Sequence, residues 1–302
     1  MHALSAKAMC AVLLALAPLP LRAEDAELRA ALRLGATTTL AADIAAHEAA
    51  LGHVMDGFGH VSLNGNGLYL ATQAGANTAR AWTAFRMTEY DGTPHGVSRR
   101  LLLGYDVPVM NASRLGLVAS LGSAELSNGE TVQSRTFSFG PYFKTPVGKY
   151  LNLKSWASFS RPVYRIAGAT LRAARFGAGA RARLERDFGD VRLGSTATLQ
   201  FSRQVTPGRR SLGGFGITKL DSTLSTRATF LPQNALRPYV DFGMTQGQWS
   251  NADGRGDYSA QTLAAGLLWS RQKHSVSVQL DGRQVFDPAQ PLKLTTNYRL
   301  SF

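Results

Sequence analysis

Hydrophobic and polar residues alternate along the last eleven positions of the chain. Leu292, Leu294, Thr296, Tyr298, Leu300 and Phe302 share one parity, and Lys293, Thr295, Asn297, Arg299 and Ser301 share the other. Successive strand side chains point to opposite faces, so this stretch predicts a strand with one apolar and one polar face. Alone, it fits the edge of a soluble sheet as well as a membrane strand, for which roughly 9–11 residues suffice. Recurrence separates the two. The same period returns over residues 80–87, 100–107, 115–122, 136–143, 151–159, 175–185, 192–201, 224–230, 239–245, 262–270 and 275–283. In the clearest case Phe176, Ala178, Ala180, Ala182 and Leu184 oppose Arg175, Gly177, Gly179, Arg181, Arg183 and Glu185.

About twelve strands is an even number, as in bacterial outer-membrane barrels. Links near Pro108–Ser113, Thr145–Lys149, Asp187–Asp190, Pro232–Ala235 and Ser270–Lys273 are short. The intervening ones are mostly longer, above all Thr206–Leu220 and Gln246–Asp257. An even count places both barrel termini on the short-turn side, which is periplasmic in this class. The predicted fold is therefore all-β: a transmembrane antiparallel β-barrel of about 12 strands over residues 79–302, closed by pairing the terminal strand with the one at 79–87.

Ahead of it, residues 24–78 read as a helical segment and a connector. Ala- and Leu-rich sequence from Glu24 gives one helix. Leu40, Ile44, Leu51 and Val54 follow a second candidate cap at Thr37-Thr38-Thr39. The narrow apolar face fits a helix confined in the lumen, or a free arm; the pattern leaves both open. Residues 58–78 are Gly- and Asn-rich, with Leu68-Tyr69-Leu70 as a short strand candidate.

Residues 1–23 have a weakly basic start, a short apolar run and breaking prolines at Pro18 and Pro20. They end on Leu21-Arg22-Ala23, giving a Sec-type secretory signal pattern. Its removal takes away the only cysteine, Cys10, and lowers the net charge from +13 to +11. No disulfide or thiolate metal site is then available. A mean hydropathy of −0.10 is compatible with strands that are half polar. The expected location is the outer membrane of a Gram-negative bacterium.

Several segments resemble the translocator domain of autotransporters. Val97–Pro108 followed by Ser113-Arg114-Leu115-Gly116-Leu117 is similar to early strands of that family, as are Phe139-Gly140-Pro141-Tyr142-Phe143 and Tyr298-Arg299-Leu300-Ser301-Phe302. The resemblance implies a type V secretion barrel. Tyr298, Leu300 and Phe302 would be its assembly signal, and barrel-assembly machinery, periplasmic chaperones and outer-membrane lipid its partners. Only about 55 residues separate Ala23 from residue 79, and the Asn-Asn pair at which some members cut their helix is absent. Little or no passenger is expected.

The polar register gathers Arg80, Arg86, Arg100, Arg175, Arg181, Arg183, Arg192, Arg227, Arg283, Lys293 and Arg299, against Asp106, Glu185, Asp241 and Asp281. A basic lumen attracts anions or an acidic plug, and Glu24, Asp25, Glu27, Asp43 and Glu48 offer the plug. Charge spread along strands argues against nucleic acid. Two alternatives stand beside a structural or limited transport and display role. One is an anion-preferring pore. The other is a lipid hydrolase, because His60-Val61-Ser62-Leu63-Asn64-Gly65 faintly resembles the His/Ser neighbourhood of outer-membrane lipid hydrolases. A Gly/Asn turn with incidental His60 and Ser62 is favoured. No cofactor, metal or catalytic residue is assigned, and a monomer is expected.

Overall fold

The computed structural model describes residues 21–55, 59–64, 67–72, 78–110, 112–208, 212–251, 254–282 and 293–301. One helix, α1 (Leu21–Met55), precedes fifteen strands. These are β1 (His60–Asn64), β2 (Gly67–Ala71), β3 (Arg80–Tyr90), β4 (His95–Met110), β5 (Ser113–Asn128), β6 (Glu130–Val147), β7 (Leu151–Ile166) and β8 (Ala169–Arg172). There follow β9 (Ala174–Phe188), β10 (Val191–Thr206), β11 (Phe215–Phe230), β12 (Leu236–Asn251), β13 (Gly254–Arg271), β14 (His274–Asp281) and β15 (Lys293–Ser301). All pairings are antiparallel, and β1–β15 together with β6–β7 and β7–β9 close the ring. Closure pairs each of the ring strands on both sides, as a lipid environment requires.

Fourteen strands form the ring, where about twelve were expected. The extra two, β1 and β2, come from the connector: β2 contains the short strand candidate Leu68-Tyr69-Leu70, while β1 is a five-residue strand too short to show a period. The ring therefore begins at His60, and β15 closes against β1, not against the strand at Arg80. β8 stands outside the ring order, paired with β7 alone. It keeps the register that β9 keeps further along the same strand. The interruption falls opposite Pro162, which has no N–H to donate; its carbonyl accepts from Ala173 N at 2.8 Å.

The strands are also longer than the roughly ten residues a bilayer needs: β6 and β13 have 18 residues each. The expected long loop at Gln246–Asp257 is mostly strand, and the one at Thr206–Leu220 shrinks to residues 207–214. Polarity beyond the apolar run marks where the wall leaves the apolar belt and not where the strand ends, because the hairpins continue past it.

Parity sorts the two faces. On β6, Val132, Ser134, Thr136, Ser138 and Tyr142 are buried, while Phe137 and Phe139 are about half exposed at 49% and 54%. Leu103, Leu117, Leu199, Leu224 and Leu294 continue this apolar exterior around the ring. Apolar surface on this scale excludes a water-exposed monomer and matches a lipid-facing belt.

One uninterrupted helix replaces the two expected. Thr37, Thr38 and Thr39 lie inside it and cap nothing. Their hydroxyls donate to the carbonyls of Arg33 (2.9 Å), Leu34 (3.0 Å) and Ala36 (3.0 Å), so the helix needs no break to satisfy them. At ~1.5 Å per residue the helix is roughly 50 Å long, whereas a tilted 16-residue strand rises only about 40 Å. The helix thus crosses the whole lumen, with Ala26 and Glu27 exposed at its amino-terminal end.

Aromatic rings on the inner face lie across glycines on the neighbouring strand. Trp82 covers Gly104, Tyr142 covers Gly116, Trp156 covers Gly179 and Tyr239 covers Gly266, each directly opposite in register. These glycines, read from sequence only as polar-face residues, make room for rings that would otherwise crowd the helix. Gly104→Ala would place a methyl group within the space of the Trp82 ring. The expected result is a loss of ~1–3 kcal/mol from overpacking, with a shifted Trp emission maximum. Unchanged emission and melting would contradict the packing.

Candidate functional site

Only residues 56–59 separate α1 from β1, so the carboxyl end of α1 lies at the barrel end that holds the start of β1 and the end of β15. Its amino end emerges at the opposite, hairpin end. The helix packs on the β3–β7 wall through two apolar zones. Near the hairpin end Leu32, Ala36 and Leu40 meet Val132, Tyr164, Ile166 and Phe215. Near the terminal end Ala46, Ala50, Leu51 and Val54 meet Tyr69, Trp82, Leu102 and Tyr142. Gly35 lies so close to Val132 that an added Cβ would sit 3.0 Å from its Cγ1.

Between these zones Asp43 reaches the guanidinium groups of Arg100 on β4 and Arg175 on β9, all buried. Gln204 Oε1 accepts from Arg175 at 2.9 and 2.7 Å and from Tyr164 at 3.0 Å. Tyr164 also accepts from Arg175 at 3.2 Å and contacts the Thr39 hydroxyl at 3.3 Å. Arg100 donates to Ser120 at 3.0 Å. One helix carboxylate is thus held from two strands, with the remaining guanidinium donors directed to fixed acceptors. Glu48 pairs with Arg181, which also donates to Thr198 at 3.1 Å.

A second node lies at the terminal end. Asp106 on β4 accepts from Arg80 Nη2 at 2.7 Å and Nε at 3.1 Å, from Arg114, and from the Tyr142 hydroxyl at 2.5 Å. Trp82 Nε1 donates to that hydroxyl at 2.8 Å. Arg80 Nη1 and Lys144 Nζ meet the Val54 carbonyl at 3.4 and 3.2 Å. Cations at the last turn of a helix satisfy its orphan carbonyls and suit its dipole.

The remaining sequence candidates fall elsewhere. Arg183 pairs with Glu185 at 2.7 Å, Arg192 with Asp187 at 2.5 Å and Arg227 with Asp241 at 2.5 Å. They flank a cavity of about 490 Å³ on the side of the lumen away from the helix. Arg86 is half-buried near Ala49 and His53 of the helix. Lys293 is exposed opposite Asp281, and Arg299 lies between Ser62 and Ser275. Arg283 and Phe302 are outside the described residues, as are the side chains of Glu24 and Asp25 and the apolar run of the signal pattern. Tyr298 and Leu300 are half-buried on β15, and Tyr298 Oη meets His274 Nδ1 at 2.8 Å.

Arg114, Lys144, Tyr164 and Gln204 were not singled out from sequence. Strand parity alone was enough to place Arg114 inward, because it shares the register of Gly116 and Ser120. His60 and Ser62 are buried on the inner face of β1, with His60 4.9 Å from the Tyr69 ring and 5.8 Å from that of His53. That position is on the wrong side of the wall for a lipid substrate and does not favour the hydrolase reading.

An apolar exterior, a polar interior and a closed antiparallel ring define a transmembrane β-barrel, here filled by its own amino-terminal helix. The chain has the fold of an autotransporter translocator barrel. The β-domain of the Bordetella autotransporter BrkA aligns with a TM-score of 0.51 and 16% identity, covering 78% of this chain and 100% of that domain. The translocator domain of autotransporter NalP from Neisseria meningitidis aligns with a TM-score of 0.51 and 12% identity, covering 90% and 99%. No family model and no curated protein matches the chain.

Proposed function

We propose that the chain is an integral outer-membrane barrel of the autotransporter type that carries its own amino-terminal helix as a fixed plug and displays the short amino-terminal end of that helix. The carrying observation is the Asp43 clamp. It ties the helix to β4 and β9 at once, midway between two apolar contacts that the helix cannot leave independently. Secretion through the signal pattern at residues 1–23, followed by barrel assembly, fits this reading. The terminal end of the ring is then periplasmic and the hairpin end faces the cell exterior.

No catalysis is assigned. The anion-pore alternative draws less support, because the arginines beside the free cavity are matched by Glu185, Asp187 and Asp241. Topology tests the reading directly. In intact cells expressing Ala26→Cys, a membrane-impermeant maleimide is expected to label the chain from outside. Labelling that requires periplasmic access would reverse the orientation, and recovery of the chain in the soluble fraction would defeat the barrel reading.

A further inference from the structure

The outer face carries a feature that barrel formation does not need. On four strands the outward apolar run stops on arginine toward the hairpin end. Leu101 gives way to Arg99 on β4, Phe137 to Arg135 on β6, Phe159 to Arg161 on β7 and Phe201 to Arg203 on β10. Arg172 on β8 and, one outward position further, Arg165 on β7 join them. All six are exposed. None of their side chains makes a hydrogen bond, ion pair or ring contact with another described residue.

Register brings them together. Arg99, Ser123, Arg135, Val163 and Arg172 are successive partners in one row across β4 to β8. Arg99 and Arg135 are therefore about 10 Å apart, two inter-strand spacings. Arg161 and Arg165 are both diagonal neighbours of Arg135, at roughly 7–8 Å. A surface groove of about 780 Å³ runs over this cluster, with Glu125 as its one carboxylate among the described residues. Just below, Phe139, Phe159 and Phe176 form a continuous aromatic band, with centroids 6.0 and 5.3 Å apart. Around the rest of the ring the corresponding level carries Glu89, Gln246 and Gln261. Among the described residues the one outward arginine at this end outside β4–β10 is Arg255 on β13, which donates to Gln248 Oε1 at 3.1 Å.

Like charges crowded without partners are unfavourable in water. Guanidinium groups at the edge of an apolar band match phosphate in geometry and charge. We propose that this rim binds the phosphate groups of a phosphorylated glycolipid in the outward leaflet, with its acyl chains lying along the phenylalanine band. The inference rests on the membrane reading above, which sets the depth of the rim and the leaflet it faces.

The test uses the full chain purified in detergent and titrated with bisphosphorylated lipid A, with bound lipid read by native mass spectrometry. Arg99→Gln/Arg135→Gln/Arg165→Gln is expected to weaken binding at least tenfold. The equally charged control Lys149→Gln/Arg186→Gln/Arg271→Gln, at the other end, is expected to bind as the native chain does. Dephosphorylated lipid should bind the native chain at least tenfold more weakly and no longer distinguish the rim variant. Equal loss in both variants, or no loss in the rim variant, overturns the proposal. So does millimolar inorganic phosphate that displaces the lipid completely, which would reduce the rim to a simple anion site. Reconstitution into vesicles separates the two levels: failure of the native chain to insert overturns both, whereas normal insertion of every chain with indifferent lipid binding overturns the rim alone.

Discussion

Asp43→Ala should turn a closed barrel into a conducting one. The substitution leaves Arg100 and Arg175 buried near the middle of the lumen without their shared carboxylate. Breaking a buried ion pair by removing one partner costs ~3–5 kcal/mol, much of it the penalty of the uncompensated charge. With the helix out, both arginines regain water, so this cost shifts the docked helix toward release. At about 1.4 kcal/mol per factor of ten, the released population rises by roughly two to four orders of magnitude. In planar bilayers the native chain is expected to show rare, brief openings and the variant sustained current. Glu48→Ala should do far less, since its pair with Arg181 is partly exposed and such pairs contribute about 0–1 kcal/mol. Indistinguishable currents from the native chain and the Asp43 variant would remove the clamp from the explanation of closure.

Asp106→Ala acts on the wall itself. Its carboxylate is the common acceptor for Arg80, Arg114 and Tyr142. Without it two guanidinium groups and a phenol remain buried around an empty position, and Arg80 loses the partner that aims it at Val54. A loss of at least ~3–5 kcal/mol is expected. For a chain of this size that corresponds to a fall of about 10 °C in the temperature at which the folded, fast-migrating gel species disappears. Asp106→Asn, which keeps the shape and one acceptor, should fall between the two. A melting temperature unchanged in both variants would contradict the node.

The sequence made the barrel legible because a two-residue period repeated over many strands survives local irregularity. Residues 175–185 alone show five apolar positions against six polar or glycine ones. It offered Leu68-Tyr69-Leu70 as the core of β2 but hid β1, because five residues cannot establish a period when Gly and Asn surround them. Strand length was under-read for a different reason: beyond the bilayer, outward positions such as Gln133, Gln246 and Asp257 become polar, so the alternation that marks a strand vanishes while its hydrogen bonding continues.

The candidate site was half visible. Strand parity put Arg100, Arg175 and Arg181 on the same face as Asp106, and the helix offered Asp43 and Glu48. What parity lacks is register between distant strands. Arg100 and Arg175 are 75 positions apart in sequence, and only the closed ring brings both to Asp43. The aromatic–glycine pairs were hidden in the same way, because neither Trp82 nor Gly104 signals its partner.

Whether α1 sits inside the ring is the most direct question, and Gly35 and Val132 answer it. Their Cβ positions fall 3.1 Å apart, close enough for a disulfide with slight adjustment. In a chain carrying Gly35→Cys and Val132→Cys, with Cys10 replaced by Ser, mild oxidation of intact cells is expected to link helix to β6 almost completely. The linked chain should still fold as a barrel and should stay closed even with Asp43→Ala. An uncrosslinked chain whose introduced helix thiol reacts freely with a bulky maleimide would place the helix outside the lumen and contradict the plug.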